Sequence, residues 1–117
     1  MILIGIAKGG HMTPQVQDSF KALADPTRRE ILKLLSQDDM TIAEVSTHFD
    51  MTRAAVKKHL TILETGDLIR VEARGRERIN HLNPDGFAPV FDWLSHFDQF
   101  WDDRLSALKD AIEKDLQ

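Results

Sequence analysis

The chain has 117 residues, one domain's worth, and its 42% hydrophobic and 29% charged content is that of an ordinary soluble globular protein. It contains no cysteine, which excludes disulfides, thiolate metal ligands and a thiol redox switch. The formal net charge of −4 weighs at first against a nucleic-acid partner, but charge distribution along the chain says more than the total.

Residues 1–11 differ in character from the rest of the chain. The apolar run Met1 to Ile6 is far too short to span a bilayer and has no basic flank, so it is neither a membrane helix nor a signal peptide. The run Gly9-Gly10-His11-Met12 has the form of a cloning junction with a natural start at Met12; a native flexible arm is the alternative. The domain is therefore expected over residues 12–117, with the reducing cytoplasm as its location and no membrane contact.

Pro14 to Leu23 reads as a first helix with Val16, Phe20 and Leu23 on one side. Asp25-Pro26 restarts the chain, with Asp at the N-cap and Pro at the first helical position. The helix from Pro26 to about Leu35 buries Ile31, Leu32 and Leu35. Arg28 and Arg29 in its first turns serve either local structural contacts or a phosphate clamp. Thr41-Ile42-Ala43-Glu44 is a capping box, opening a helix with apolar Ile42, Val45 and Phe49. After a break at Asp50-Met51, Thr52 caps a helix from Arg53 to about Glu64, held by Val56, Leu60 and Leu63. Its other face carries Arg53, Ala54, Lys57, Lys58 and Thr61. The first turn holds Arg53 and no acid, beside backbone N–H groups free to meet an anion. A cationic face of small and polar residues on an apolar stripe suits a helix that reads the major groove.

Gly66 is the expected C-cap. Residues 68–73 alternate apolar and charged, Arg74-Gly75-Arg76 is a turn, and residues 77–82 return as the partner strand. A hairpin tip with arginines around a glycine, followed by Arg78, suits a narrow minor groove. From Thr52 to Leu82 there are seven bases against four acids; from Asn83 to Gln117, three against eight. The basic segment can meet phosphates while the acidic tail is repelled. Asn83-Pro84-Asp85-Gly86 is turn chemistry; from about Phe87 to Leu116 the chain then reads as one long helix, with a short broken piece before it, and residues 84–117 as a whole serve as the dimerisation helix. Leu94, Phe97, Trp101, Leu105, Leu108 and Ile112 step by threes and fours in a seam, and Phe91, Trp93 and Phe100 widen it. A partner chain is the natural cover for so much aromatic surface.

The run Ala24-Asp25-Pro26-Thr27-Arg28-Arg29-Glu30-Ile31-Leu32 resembles the opening of the ArsR/SmtB family of bacterial winged-helix repressors. Residues 52–63 resemble that family's recognition helix, and Arg74 to Arg78 its wing. The resemblance covers roughly Phe20 to Asn83. It implies a mostly α fold of about five helices and a two-stranded wing, dimeric through the first and last helices, which adds Phe20 to the interface. It also implies repression by a homodimer on a pseudo-palindromic double-stranded DNA operator, with helix 52–64 in the major groove and wing 74–78 near the minor groove. Thr52, Arg53, Ala54, Lys57, Lys58, Thr61, Arg74, Arg76 and Arg78 are the DNA-contact residues on that reading.

The departures from the family pattern matter as much. Metal-sensing members place cysteines on the helix before the recognition helix; here residues 42–49 offer none. Asp92 and His96 share a helix face and define the alternative of a metal-responsive repressor, but a lone pair of this kind is a weak site, and no metal or cofactor is expected. The effector is either an unidentified small molecule, entering among Phe97, Phe100 and Trp101, or none. No residues converge as nucleophile, base and orienter, so an enzyme is not expected. A winged helix serving protein–protein contact is the other alternative, though such a module has no need for cations on both helix and wing.

Overall fold

The computed structural model describes residues 14–116; the stretch 1–11 lies outside it. Helix α1 (Pro14–Leu23) is followed by α2 (Pro26–Gln37), the two-residue strand β1 (Met40–Thr41), α3 (Ile42–Ser46), α4 (Arg53–Thr65), β2 (Ile69–Arg74) and β3 (Glu77–Leu82). A 3₁₀ turn (Pro84–Phe87) leads into α5 (Ala88–Leu94), a second 3₁₀ turn (Ser95–Phe97) and α6 (Asp98–Asp115). Counting α5 and α6 as one interrupted helix leaves five.

The caps form as the side chains dictate. Asp25 Oδ2 accepts from the Arg28 backbone N–H at 3.0 Å. Thr41 Oγ1 accepts from Glu44 N at 3.1 Å, while Glu44 Oε1 accepts from Thr41 N at 2.8 Å, completing both halves of the capping box. Thr52 Oγ1 accepts from Ala55 N at 3.1 Å. Three elements differ from expectation. Helix α3 stops at Ser46; His48 N and Phe49 N bond to carbonyls three residues back, so Phe49 reaches the core from a tightened turn. Strand β1 is not visible in the sequence pattern because two residues carry no periodicity. It pairs Met40 with Asn80 and Thr41 with Ile79, giving a three-stranded antiparallel sheet in the order β1-β3-β2. The terminal helix is interrupted at 95–97.

Gly66 is the C-cap of α4, but its backbone is ordinary, and Asp67 takes the left-handed conformation at φ 63°. Leu68 N bonds to Leu63 O at 3.0 Å and Asp67 N to Glu64 O at 2.9 Å, the paired bonds of a Schellman end, with Leu63 and Leu68 both fully buried. Asn83, itself buried, steadies Asp67 by donating Nδ2 to its carbonyl at 2.8 Å. Glycine at 66 has another cause. A Cβ there would sit 2.9 Å from Asp18 O, and Ser19 Oγ donates to Gly66 O at 2.9 Å, so α1 lies directly on this backbone.

One core joins α1 to α4 and β2: Ala22, Ile31, Leu32, Leu35, Val45, Val56, Leu60, Leu63, Leu68 and Ile69. It contains three side chains from α4, so the orientation of that helix is set by the core. No helix among the described residues is long and apolar enough to cross a membrane.

Candidate nucleic-acid interface

Helix α4 turns Val56, Leu60 and Leu63 inward and leaves Arg53, Ala54, Lys57, Lys58 and Thr61 exposed, with its capping residue Thr52 also exposed. The sequence-expected face is thus one continuous outward surface. Its N-terminal turn contains no acid, and its free backbone N–H groups add partial positive charge beside Arg53.

The contact that steadies α4 from outside the core comes from α2. Arg28 Nε donates to Ala22 O at 2.8 Å and Nη2 to Lys21 O at 3.0 Å, while Nη1 lies 3.3 Å from His59 Nδ1. Arg29 Nη1 donates to Leu23 O at 2.8 Å. Both arginines therefore bind backbone carbonyls at the end of α1, which decides between the two roles left open for them in favour of the structural one. Asp25 Oδ2 stands 3.9 Å from His59 Nδ1. The Arg28 backbone N–H on its carboxylate holds Asp25 below its ordinary pKa, the Arg28 and His59 charges act the same way, and partial desolvation opposes them.

In the wing, Gly75 has φ 65° and open space around its Cβ position, so the conformation alone calls for glycine. With Arg74 paired to Glu77, the loop is the two residues Gly75-Arg76, glycine first, as in a type II′ hairpin. The register separates the three arginines. Arg74 pairs with Glu77 and Arg78 with Ala73, successive pairs on opposite sheet faces. Arg78 shares its face with Val71 and Asn80, toward α4, while Arg76 sits at the tip. Arg74 Nη2 donates to Glu72 Oε1 at 2.9 Å.

Glu72 also faces His81, whose Nε2 is 3.0 Å from Glu72 Oε1 and whose Nδ1 is 2.9 Å from Asp39 Oδ2. The hydrogen bond from Arg74, followed by that from His81, holds Glu72 below its ordinary pKa. A chain of polar contacts thus runs Asp39–His81–Glu72–Arg74 from the α2–β1 loop out along the wing. Sequence spacing could not reveal it, because Asp39 meets His81 only through the unexpected β1–β3 pairing.

From α5 through the second 3₁₀ turn into α6, Leu94, Phe97, Trp101, Leu105, Leu108 and Ile112 are all exposed, with Leu105 at 64%. Phe20 is half-buried and meets Trp93 edge-on with centroids 5.7 Å apart; Trp93 in turn packs on Phe97 at 5.1 Å. The first and last helices of one chain therefore share an aromatic cluster that continues into the exposed seam. His96 Nδ1 lies 3.0 Å from Trp93 O and 3.2 Å from Asp92 O, so the Asp92/His96 pair meets through the Asp92 backbone. Among the described residues no three His, Asp or Glu side chains gather as a metal cluster.

The chain matches the family described as "Bacterial regulatory protein, arsR family" over residues 25–71. It is 35% identical over 78 residues to the transcriptional repressor SdpR of Bacillus subtilis (strain 168), covering 67% of this chain and 87% of that protein. Among solved structures, the ArsR family transcriptional regulator RHA00566 superposes with a TM-score of 0.68 at 36% identity, covering 75% of this chain and 97% of that one. The homodimeric winged helix-turn-helix domain of Mb0332 from Mycobacterium bovis superposes at 0.59 with 25% identity, covering 73% and 79%. With the helix-turn-helix, the wing and these relatives in agreement, the chain belongs to the ArsR family of bacterial regulatory proteins and is a DNA-binding transcriptional regulator of the winged helix-turn-helix fold.

Proposed function

We propose that the protein represses transcription in the cytoplasm as a homodimer on a pseudo-palindromic operator. Helix α4 enters the major groove and presents Arg53, Ala54, Lys57, Lys58 and Thr61, with Thr52 at the phosphate backbone. The wing reaches toward the minor groove with Arg76 foremost and Arg74 and Arg78 on its two faces. Residues 84–117 form the dimerisation segment, with Phe20 from α1 at its edge.

One observation carries the dimer. Among the described residues, every exposed large apolar side chain lies between Phe91 and Leu116. A patch of that size and continuity marks an interface, and burying side chains of this kind contributes roughly 1.5–3 kcal/mol each. Two copies joined there place two α4 helices on one side of DNA, with half-sites about one helical turn apart. The homodimeric assembly of the Mb0332 domain supports the same arrangement. The acid-rich tail faces away from the phosphates on this reading.

The test pairs sedimentation with fluorescence anisotropy on the protein's own promoter DNA. The wild type should sediment as a dimer and bind two chains per site, with affinity falling steeply as salt rises, because lysines and arginines displace counterions. Leu105→Asp should yield monomers or unfolded chain and lose tight binding. An intact Leu105→Asp dimer, or a salt-independent one-to-one complex, would contradict the assignment.

A further inference from the structure

Behind the outward face of α4 lies a cleft of about 250 Å³ between that helix and the β2–β3 hairpin. Ile42, Leu60 and Val71 form its apolar lining, and Asn80 and Thr61 complete the walls. Two cations stand on it from opposite sides, Lys57 from α4 and Arg78 from β3. Neither has an ion-pair partner among the described residues; the ion pairs formed lie elsewhere, at Glu30, Asp25, Glu72 and Asp39. Among the described residues, Glu64 is the only acid on the cleft. A concave apolar surface with a few converging polar groups is the form of a small-molecule site.

We propose that this cleft binds a small organic anion, a carboxylate on a compact apolar body, and that its occupation releases DNA. The volume is below the roughly 300–1,000 Å³ typical of drug-sized ligands, so the body is a single ring or a short chain. The carboxylate bridges Lys57 and Arg78 and the apolar part replaces water over Ile42 and Val71. The consequence for DNA rests on the proposed function, in which Lys57 and Arg78 face the duplex. An anion neutralising both removes two phosphate-facing charges and occupies the space between reading helix and wing, so the two ligands exclude each other, and by linkage each weakens the other by the same factor. Effector entry is thus placed between α4 and the wing rather than among Phe97, Phe100 and Trp101.

The probe is benzoate, with benzyl alcohol as its uncharged counterpart and inorganic phosphate as an anion without an apolar body. Amide chemical shifts of the DNA-free protein are followed during titration, so binding is read independently of any operator. Benzoate should shift Ile42, Thr61, Val71 and Asn80 in a saturable way, with both other probes at least tenfold weaker. Glu64→Gln, an exposed change, should tighten benzoate several-fold by removing the opposing charge. Ile42→Phe, which fills the lining, should weaken it at least tenfold with its thermal midpoint retained. Equal response to phosphate and benzoate would show simple charge attraction and overturn the proposal, as would no saturable shift or no effect of Glu64→Gln. Saturable binding at the cleft without any change in promoter-DNA affinity would overturn the release step alone.

Discussion

Arg28 of α2 and His59 of α4 are in direct contact, Nη1 to Nδ1 at 3.3 Å. A guanidinium can only donate, so this contact is a hydrogen bond when the His59 ring is neutral and carries its proton on Nε2. The same Arg28 side chain holds two carbonyls at the end of α1. One residue thus ties three helices together, and one of them, α4, carries the face proposed to read DNA.

Arg28→Ala should therefore destabilise the domain by roughly 2–3 kcal/mol, the scale for losing hydrogen bonds from a charged, partly buried donor. Arg28→Lys should not restore it, because one ammonium cannot span Ala22 O, Lys21 O and His59 together. Urea denaturation of the three proteins checks this; equal midpoints for wild type and Arg28→Ala would show that the contacts carry no net stability.

The acid limb of the stability profile should depend on Asp25. Its pKa is lowered in the folded protein, chiefly by the Arg28 backbone N–H, so its stabilising contribution is complete above the unfolded value and is lost as pH falls through the folded one. That window lies below about pH 4, the ordinary Asp range. Asn caps a helix as well as Asp does, so Asp25→Asn should stay folded at neutral pH and show a shallower loss below pH 4. Glu72, lowered by Arg74 and His81, leaves a residual slope. Thermal melts from pH 7 to pH 2.5 supply the comparison.

Gly66→Ala should cost roughly 1–3 kcal/mol, as overpacking does, because the added methyl would meet Asp18 O at 2.9 Å and push α1 from the end of α4. An unchanged thermal midpoint would show that α1 moves away freely.

Much of this was legible along the chain because its devices are local. Asp25-Pro26, the Thr41/Glu44 box, Thr52 and the Gly75 turn each act within four residues, and the α4 stripe needs only the helical period. What was not legible is what distant segments create together. Strand β1 exists because β3 offers an edge. His81 finds Asp39 across that pairing, Arg28 finds His59 across 31 residues, and Gly66 is required by α1 rather than by its own backbone. The 250 Å³ cleft is likewise a product of how α4 lies over the sheet. In the wing, the sequence shows three arginines close together, but only the strand register shows that Arg74 and Arg78 look in opposite directions.

Helix and wing should fail differently. Arg53→Ala should lose discrimination between operator and random DNA by roughly 1–3 kcal/mol, the value of a base-edge contact. Arg76→Ala should weaken both about equally and reduce the salt slope by about one. Anisotropy titrations on both DNAs at several salt concentrations separate the two; an unchanged specificity ratio in Arg53→Ala would remove that residue from the groove.

The most direct measurement is selection of bound sequences from a random double-stranded DNA pool. Two α4 helices related by the two-fold axis of a dimer should enrich an inverted repeat whose half-sites are centred about one helical turn apart. Arg53→Ala should erode the enrichment at the base it contacts while leaving the spacing intact. Enrichment of a single unrepeated site, or of no sequence at all, would contradict a symmetric operator-binding dimer.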